Sequence, residues 1–147
     1  AGAFESLRLE KGYRSLGADI HTNSNPYEAG LGFTVKLKKK ENFVGKESLQ
    51  KLKQEPQYKK LCCMIMEDND GMAIGKEPIY DKNSKPVGYV TSSNYGYYID
   101  KHILYGYLPT EHSKEGTKLE VGYFGKRYPV VVTKEPLLDP DSKRLKS

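Results

Sequence analysis

Arg8 is the residue in this sequence best suited to ligand chemistry. It lies in Glu5-Ser-Leu-Arg-Leu-Glu-Lys-Gly12, flanked by two leucines. A guanidinium so placed can grip a carboxylate or the edge of a heterocycle through parallel N–H donors. It can equally close an ion pair with Glu5 or with an acid on a neighbouring strand, and both roles stay open at this level. Asp19 and Glu28 stand in turn-rich stretches, Leu16-Gly-Ala-Asp-Ile20 and Asn25-Pro-Tyr-Glu-Ala-Gly-Leu31. There the ordinary use of a carboxylate is a capping or turn-stabilising hydrogen bond. Of the twelve tyrosines, Tyr89, Tyr95, Tyr97, Tyr98, Tyr105 and Tyr107 are clustered. Their rings can pair across neighbouring strands, or line a cleft that faces another domain.

Other chemistries find little footing. His21, His102 and His112 are scattered, with no metal-ligand spacing. Ser92 and Ser93 lack a nucleophile-elbow context, and Gly12-Tyr-Arg-Ser-Leu-Gly17 has the wrong spacing for a phosphate loop. Cys62 and Cys63 are adjacent, so on a strand they point to opposite faces and read as free core thiols. The formal charge of +5 is spread along the chain, and its densest run, Lys36 to Lys40, reads as a solvated strand end and turn. No nucleic-acid-binding module is recognisable, no apolar run is long enough for a membrane span, and the first residues are not expected to be a secretory leader.

The elements that must position these groups fall into two parts. Ala3 to Lys11 is predicted as a helix, with Phe4 and Leu7 on one face, Glu5 and Arg8 on another, and Gly12 as its stop. Residues 13 to 30 carry turn chemistry. Leu31 to Leu37 alternates and predicts a half-buried strand, and Gly45 to Gln54 predicts a second helix. A boundary is expected at Glu55-Pro56-Gln57. Beyond it, strands are predicted at Lys60–Glu67, Pro78–Tyr80, Pro86–Ser92, Lys101–Leu108, Lys118–Tyr123 and Tyr128–Lys134. Hairpin loops are expected at Asp81–Pro86 and Phe124–Arg127, and Pro129 at an edge or strand start. The fold class expected is mainly β with an α+β N-terminal part, its strands forming a closed or sandwich-like antiparallel barrel.

Arg8-Leu-Glu10, Gly17-Ala-Asp-Ile20, Asn25-Pro26, Glu28-Ala-Gly-Leu31 and Phe43-Val-Gly-Lys46 resemble, in order, the folate-dependent aminomethyltransferase family of the glycine-cleavage T-protein. Glu10-Lys-Gly-Tyr-Arg14, Thr91-Ser92, Tyr95-Gly-Tyr-Tyr-Ile-Asp-Lys101, Tyr105-Gly-Tyr107 and Pro136-Leu-Leu-Asp-Pro140 with Lys143-Arg144 look most like the branch fused to dimethylglycine and sarcosine dehydrogenases. The resemblance covers nearly the whole chain. It implies that residues 1–56 are the end of the folate-binding α+β domain and 57–147 a C-terminal β-barrel. It also implies tetrahydrofolate as the one-carbon acceptor, and as donor a small N-methyl amine or an aminomethyl carrier. In the fused branch, tetrahydrofolate captures the iminium left by flavin oxidation as 5,10-methylenetetrahydrofolate.

The same resemblance implies Arg8 as the residue contacting folate, and Ser142 and Arg144 as tail residues closing that site. No catalytic residue is implied within this chain, because the family's catalytic Asp and pterin-holding Glu lie upstream of the matched region. Any FAD would likewise belong to an upstream region, since no flavin fingerprint occurs here. Leu16 stands where the T-protein commonly has a Tyr. Alternatives of the same architecture are a stand-alone T-protein and a regulatory subunit of pyruvate dehydrogenase phosphatase. The implied location is the cytoplasm of a bacterium or the mitochondrial matrix of a eukaryote. Alone, the chain is expected to be inactive, with residues 1–56 loosely held or exchanged between chains.

Overall fold

The computed structural model describes residues 2–68 and 71–146. Six strands form it: β1 (Lys59–Met66), β2 (Pro78–Tyr80), β3 (Pro86–Gly96), β4 (Lys101–Pro109), β5 (Lys118–Tyr123) and β6 (Lys126–Thr133). They close into an antiparallel barrel in the order β1-β4-β3-β2-β5-β6. The mainly β class and the closed barrel match the expectation. Strand alternation then sorts side chains into two cores. Cys62, Met64, Ile79, Val90, Leu104, Leu119, Val121 and Val130, drawn from all six strands, pack together and so fill the barrel interior. Leu61, Cys63, Ile103, Tyr105 and Tyr107 point the other way and form a second cluster with Leu9 and Leu137. The adjacent cysteines thus do serve opposite faces of β1, both free and buried.

The second cluster exists because a helix covers the outer face of β3 and β4. Helix α1 spans Gly2–Glu10, and Gly12 ends it at φ +73°, a conformation Gly adopts without Cβ strain. Its buried residues are Ser6, Arg8, Leu9 and Glu10, while Phe4 and Leu7 are exposed. Against this barrel the helix therefore buries a largely polar stripe and turns its apolar one outward. Residues 2–30 are knit to the barrel by buried Arg8, Leu9, Glu10, Asp19 and Ala29. From residue 31 to 60 no residue is buried, and helix α2 (Lys46–Gln54) has none. The exposed Lys36–Lys40 run belongs to this stretch.

Two local expectations are corrected. Leu31 to Leu37 is no strand: Gly32–Thr34 forms a 3-10 turn and Phe33 is exposed. Alternation alone cannot make a strand without a partner edge, and a closed barrel has none to offer. Pro129 lies inside β6, opposite Glu120 of β5. It is tolerated there because β1 pairing begins one residue later, at Met66 with Val130.

Candidate functional site

Arg8 sits at the centre of a buried polar knot beneath α1. Its Nε donates to Glu5 Oε2 at 2.7 Å, and its Nη2 lies 2.6 Å from the same oxygen. Nη1 donates to Asp19 Oδ2 at 2.9 Å and to the Tyr13 carbonyl at 3.0 Å, and Nη2 to Ser92 Oγ at 2.8 Å. Burial works against the cation, but the bonds to Glu5 and Asp19 outweigh it and hold the Arg8 pKa above its ordinary value. Asp19 is 1% exposed and does more than brace a turn. Besides Arg8 it accepts from Thr91 Oγ1 at 2.6 Å and from the Ser15 amide at 2.9 Å. Its carbonyl accepts from Tyr107 Oη at 2.8 Å. Glu28 has the simpler turn role, accepting the Asn25 amide at 3.0 Å.

A β-bulge makes this knot possible. Val90 pairs with Gly106 but Ser92 pairs with Tyr105, so Thr91 is the extra residue in β3. Without the bulge Thr91 and Ser92 would face opposite sides; with it both reach the outer face and meet Asp19 and Arg8. In the sequence these two mark the resemblance and end a predicted strand, and Ser92 lacks a nucleophile context. Their adjacency to the interior Val90 gave no sign of a changed register.

On another face of α1, the helix and the turn joining β3 to β4 enclose an open cleft of about 610 Å³. Ala3, Leu7, Tyr97 and Tyr98 supply apolar walls, with Ser6, Glu10 and Asn94 among the polar groups. Glu10 is 1% exposed, and its Oε1 accepts the amides of Tyr98 at 2.7 Å and Ile99 at 3.1 Å. A Cβ on Gly96 would lie 3.0 Å from that oxygen, so the bare backbone is what lets Glu10 reach the turn. The tyrosine cluster therefore divides: Tyr105 and Tyr107 are core, whereas Tyr97 and Tyr98 wall the cleft.

The tail after β6 arrives at the same cleft. The Leu138 amide donates to the Glu10 carbonyl at 2.9 Å, and Lys11 Nζ donates to the Asp139 carbonyl at 2.7 Å and to Ser142 Oγ at 3.4 Å. Asp139 caps a short helix, α3 (Lys143–Lys146), and Arg144 donates to Tyr98 Oη at 2.6 Å with its guanidinium over the ring. Of the three predicted site residues, Arg144 thus bonds to a cleft wall and Ser142 to Lys11, while Arg8 lies in the knot behind.

His102 is half-buried, within 2.7 Å of Ser93 Oγ and 3.1 Å of the Ala73 carbonyl, and burial lowers its pKa. Burial pushes the Cys62 thiol up to about 11 and the Cys63 thiol to about 12. Among the described residues no group of three or more His, Cys, Asp or Glu could hold a metal ion, and no helix is long and apolar enough to cross a membrane.

Residues 59–139 match the glycine cleavage T-protein C-terminal barrel domain, and residues 1–39 match the GCVT N-terminal domain. The chain belongs to the glycine cleavage T-protein family. Human mitochondrial dimethylglycine dehydrogenase is 39% identical over 97% of this chain, and human mitochondrial sarcosine dehydrogenase 35% identical over 98%. An aminomethyltransferase of Prochlorococcus marinus is 36% identical over 92%. The chain spans 17%, 16% and 36% of these relatives respectively. The glycine cleavage system aminomethyltransferase T of Bartonella henselae has the same fold, with a TM-score of 0.86 at 26% identity over 94% of this chain and 38% of that one. Both T-protein family segments meet at the site: α1 lies in the N-terminal match, and the bulge and the β3–β4 turn in the barrel match.

Proposed function

We propose that this chain is the C-terminal part of a tetrahydrofolate-dependent one-carbon-transfer enzyme of the dimethylglycine and sarcosine dehydrogenase branch. In this reading residues 1–56 end the folate-binding domain and 57–147 form its barrel. The amine substrate would be oxidised by FAD held in a region outside this chain. The observation that carries the reading is the Arg8 knot: a guanidinium held from behind by Asp19, Ser92 and Tyr13, with one half-exposed partner, on the same helix whose other face lines a cleft with aromatic walls.

These residues fit folate as one wall of a site. The cleft volume lies within the usual range for small-molecule pockets of roughly 300–1,000 Å³. Tyr97 and Tyr98 offer flat faces to a ring system, and Arg8 offers donors to an acceptor edge. When bound, tetrahydrofolate supplies the amine that takes up a one-carbon unit. This chain's share is to bind and orient it, Arg8 from α1 and the cleft walls from the β3–β4 turn. Ser142 and Arg144 close the site from the tail, Arg144 through its bond to Tyr98. The relatives named mitochondrial support a mitochondrial location for a eukaryotic protein, in the matrix on this reading, and for a bacterial protein the reading is the cytoplasm.

Calorimetric titration with tetrahydrofolate tests the reading. The whole gene product is expected to bind it, and the isolated 147-residue chain only weakly, because one wall leaves most of the ligand exposed. Absence of binding by the whole product would overturn the reading.

A further inference from the structure

A guanidinium has five N–H donors, and here it makes four hydrogen bonds, to Glu5, Tyr13, Asp19 and Ser92, with Nη2 also 2.6 Å from Glu5 Oε2. The partners differ sharply in how firmly they are held. Asp19 and Ser92 are 1% and 5% exposed, and Asp19 also anchors Thr91 and the Ser15 amide. Moving Asp19 would orphan several buried donors. Glu5 is 42% exposed, and among the described residues its side chain bonds to Arg8 alone. It lies one helical turn away and covers the Nε–Nη2 edge, the fork that would receive an external planar acceptor.

We propose that Glu5 is a built-in occupant of the Arg8 fork, which a ligand must displace to reach the guanidinium. This rests on the reading of Arg8 as a folate contact and adds to it a residue that sets affinity by competition. Glu5 and Asp19 already place two carboxylates on one cation. A third acceptor cannot simply be added, because a ligand carboxylate would lie within a few ångströms of two like charges. Glu5 is the one carboxylate free to leave, since it swings into water at the loss of a weak surface pair. The ligand chemistry is a planar acceptor edge. In a folate that edge is either the glutamyl carboxylate or the carbonyl–nitrogen edge of the pterin.

The test compares tetrahydrofolate affinity by calorimetry for the whole gene product, Glu5→Ala and Arg8→Ala. Glu5→Ala is expected to tighten binding by about two- to fivefold, the equivalent of one exposed ion pair, while Arg8→Ala weakens it. Titrations with tetrahydropterin and with p-aminobenzoylglutamate then show which edge enters the fork, as the one whose affinity Glu5→Ala raises. Weaker or unchanged tetrahydrofolate binding in Glu5→Ala, with Arg8→Ala still impaired, overturns the competition and makes Glu5 a positioning partner. Unchanged binding in Arg8→Ala overturns the folate role of Arg8 itself, and the competition with it.

Discussion

Asp19→Ala is the sharpest perturbation of the knot. It removes a carboxylate that is 1% exposed and accepts from Arg8 Nη1, Thr91 Oγ1 and the Ser15 amide. Breaking a buried ion pair by deleting one partner costs about 3–5 kcal/mol, because a charge is left behind without compensation. Glu5 stays on Arg8 and offsets part of this, which places the expectation near the lower end, about 3 kcal/mol. With a urea m-value of about 2 kcal/mol/M, the midpoint falls by about 1.5 M with m unchanged. Asp19→Asn, which can keep one acceptor, should lose about half as much. Circular dichroism during urea unfolding of the isolated chain reads both. Combining Asp19→Ala with Arg8→Met should cost less than the sum of the two, since the orphaned charge is gone. A midpoint shift for Asp19→Ala below about 0.3 M, or strict additivity in the double variant, would refute the knot as the element tying α1 to the barrel.

Other consequences are checked more simply. Thr91→Ala should destabilise by about 1–2 kcal/mol, the usual cost of a buried acceptor losing its donor, read from the same urea curves. Gly96→Ala would put a Cβ 2.5 Å from Ile103 Cδ1 and 3.0 Å from Glu10 Oε1, so a loss of about 1–3 kcal/mol and faster amide exchange at Tyr98 and Ile99 are expected. Burial raises both cysteine pKa values, so the folded state prefers the neutral thiols. That contribution is intact below the ordinary thiol pKa of about 8.5 and is lost as pH rises toward 11 and 12. Stability should therefore decline from about pH 8.5 upward, more than in Cys62→Ala/Cys63→Ala relative to its own neutral-pH value, and native-state alkylation at pH 7 should be slow.

What the sequence conveyed was whatever depends on local periodicity. Five of the six strands have bounds within two residues of expectation, since alternating apolar positions register directly as one face of a sheet. The remaining strand, β3, runs on to Gly96 because its extension pairs with β4 rather than following its own hydrophobic pattern. The same alternation misled at Leu31–Leu37, where no partner edge exists. The outward apolar face of α1 was hidden because Phe4 and Leu7 have the spacing of a buried stripe, while the barrel instead takes Ser6, Arg8, Leu9 and Glu10. Arg8 and the tail stood out through resemblance, and the structure sets Arg8 against Asp19 and Arg144 against Tyr98. Asp19, Thr91 and Ser92 were not legible as its support, because a bulge in β3 brings them together from 72 or more residues apart in sequence.

The proposed contact between Arg8 and folate is open to direct measurement. Isothermal titration of tetrahydrofolate into the whole gene product and its Arg8→Ala variant tests it most directly. Loss of a charge-assisted bond predicts a penalty of about 1–3 kcal/mol, roughly a 5- to 150-fold weaker Kd. A variant that remains folded and binds tetrahydrofolate with unchanged affinity would rule that contact out.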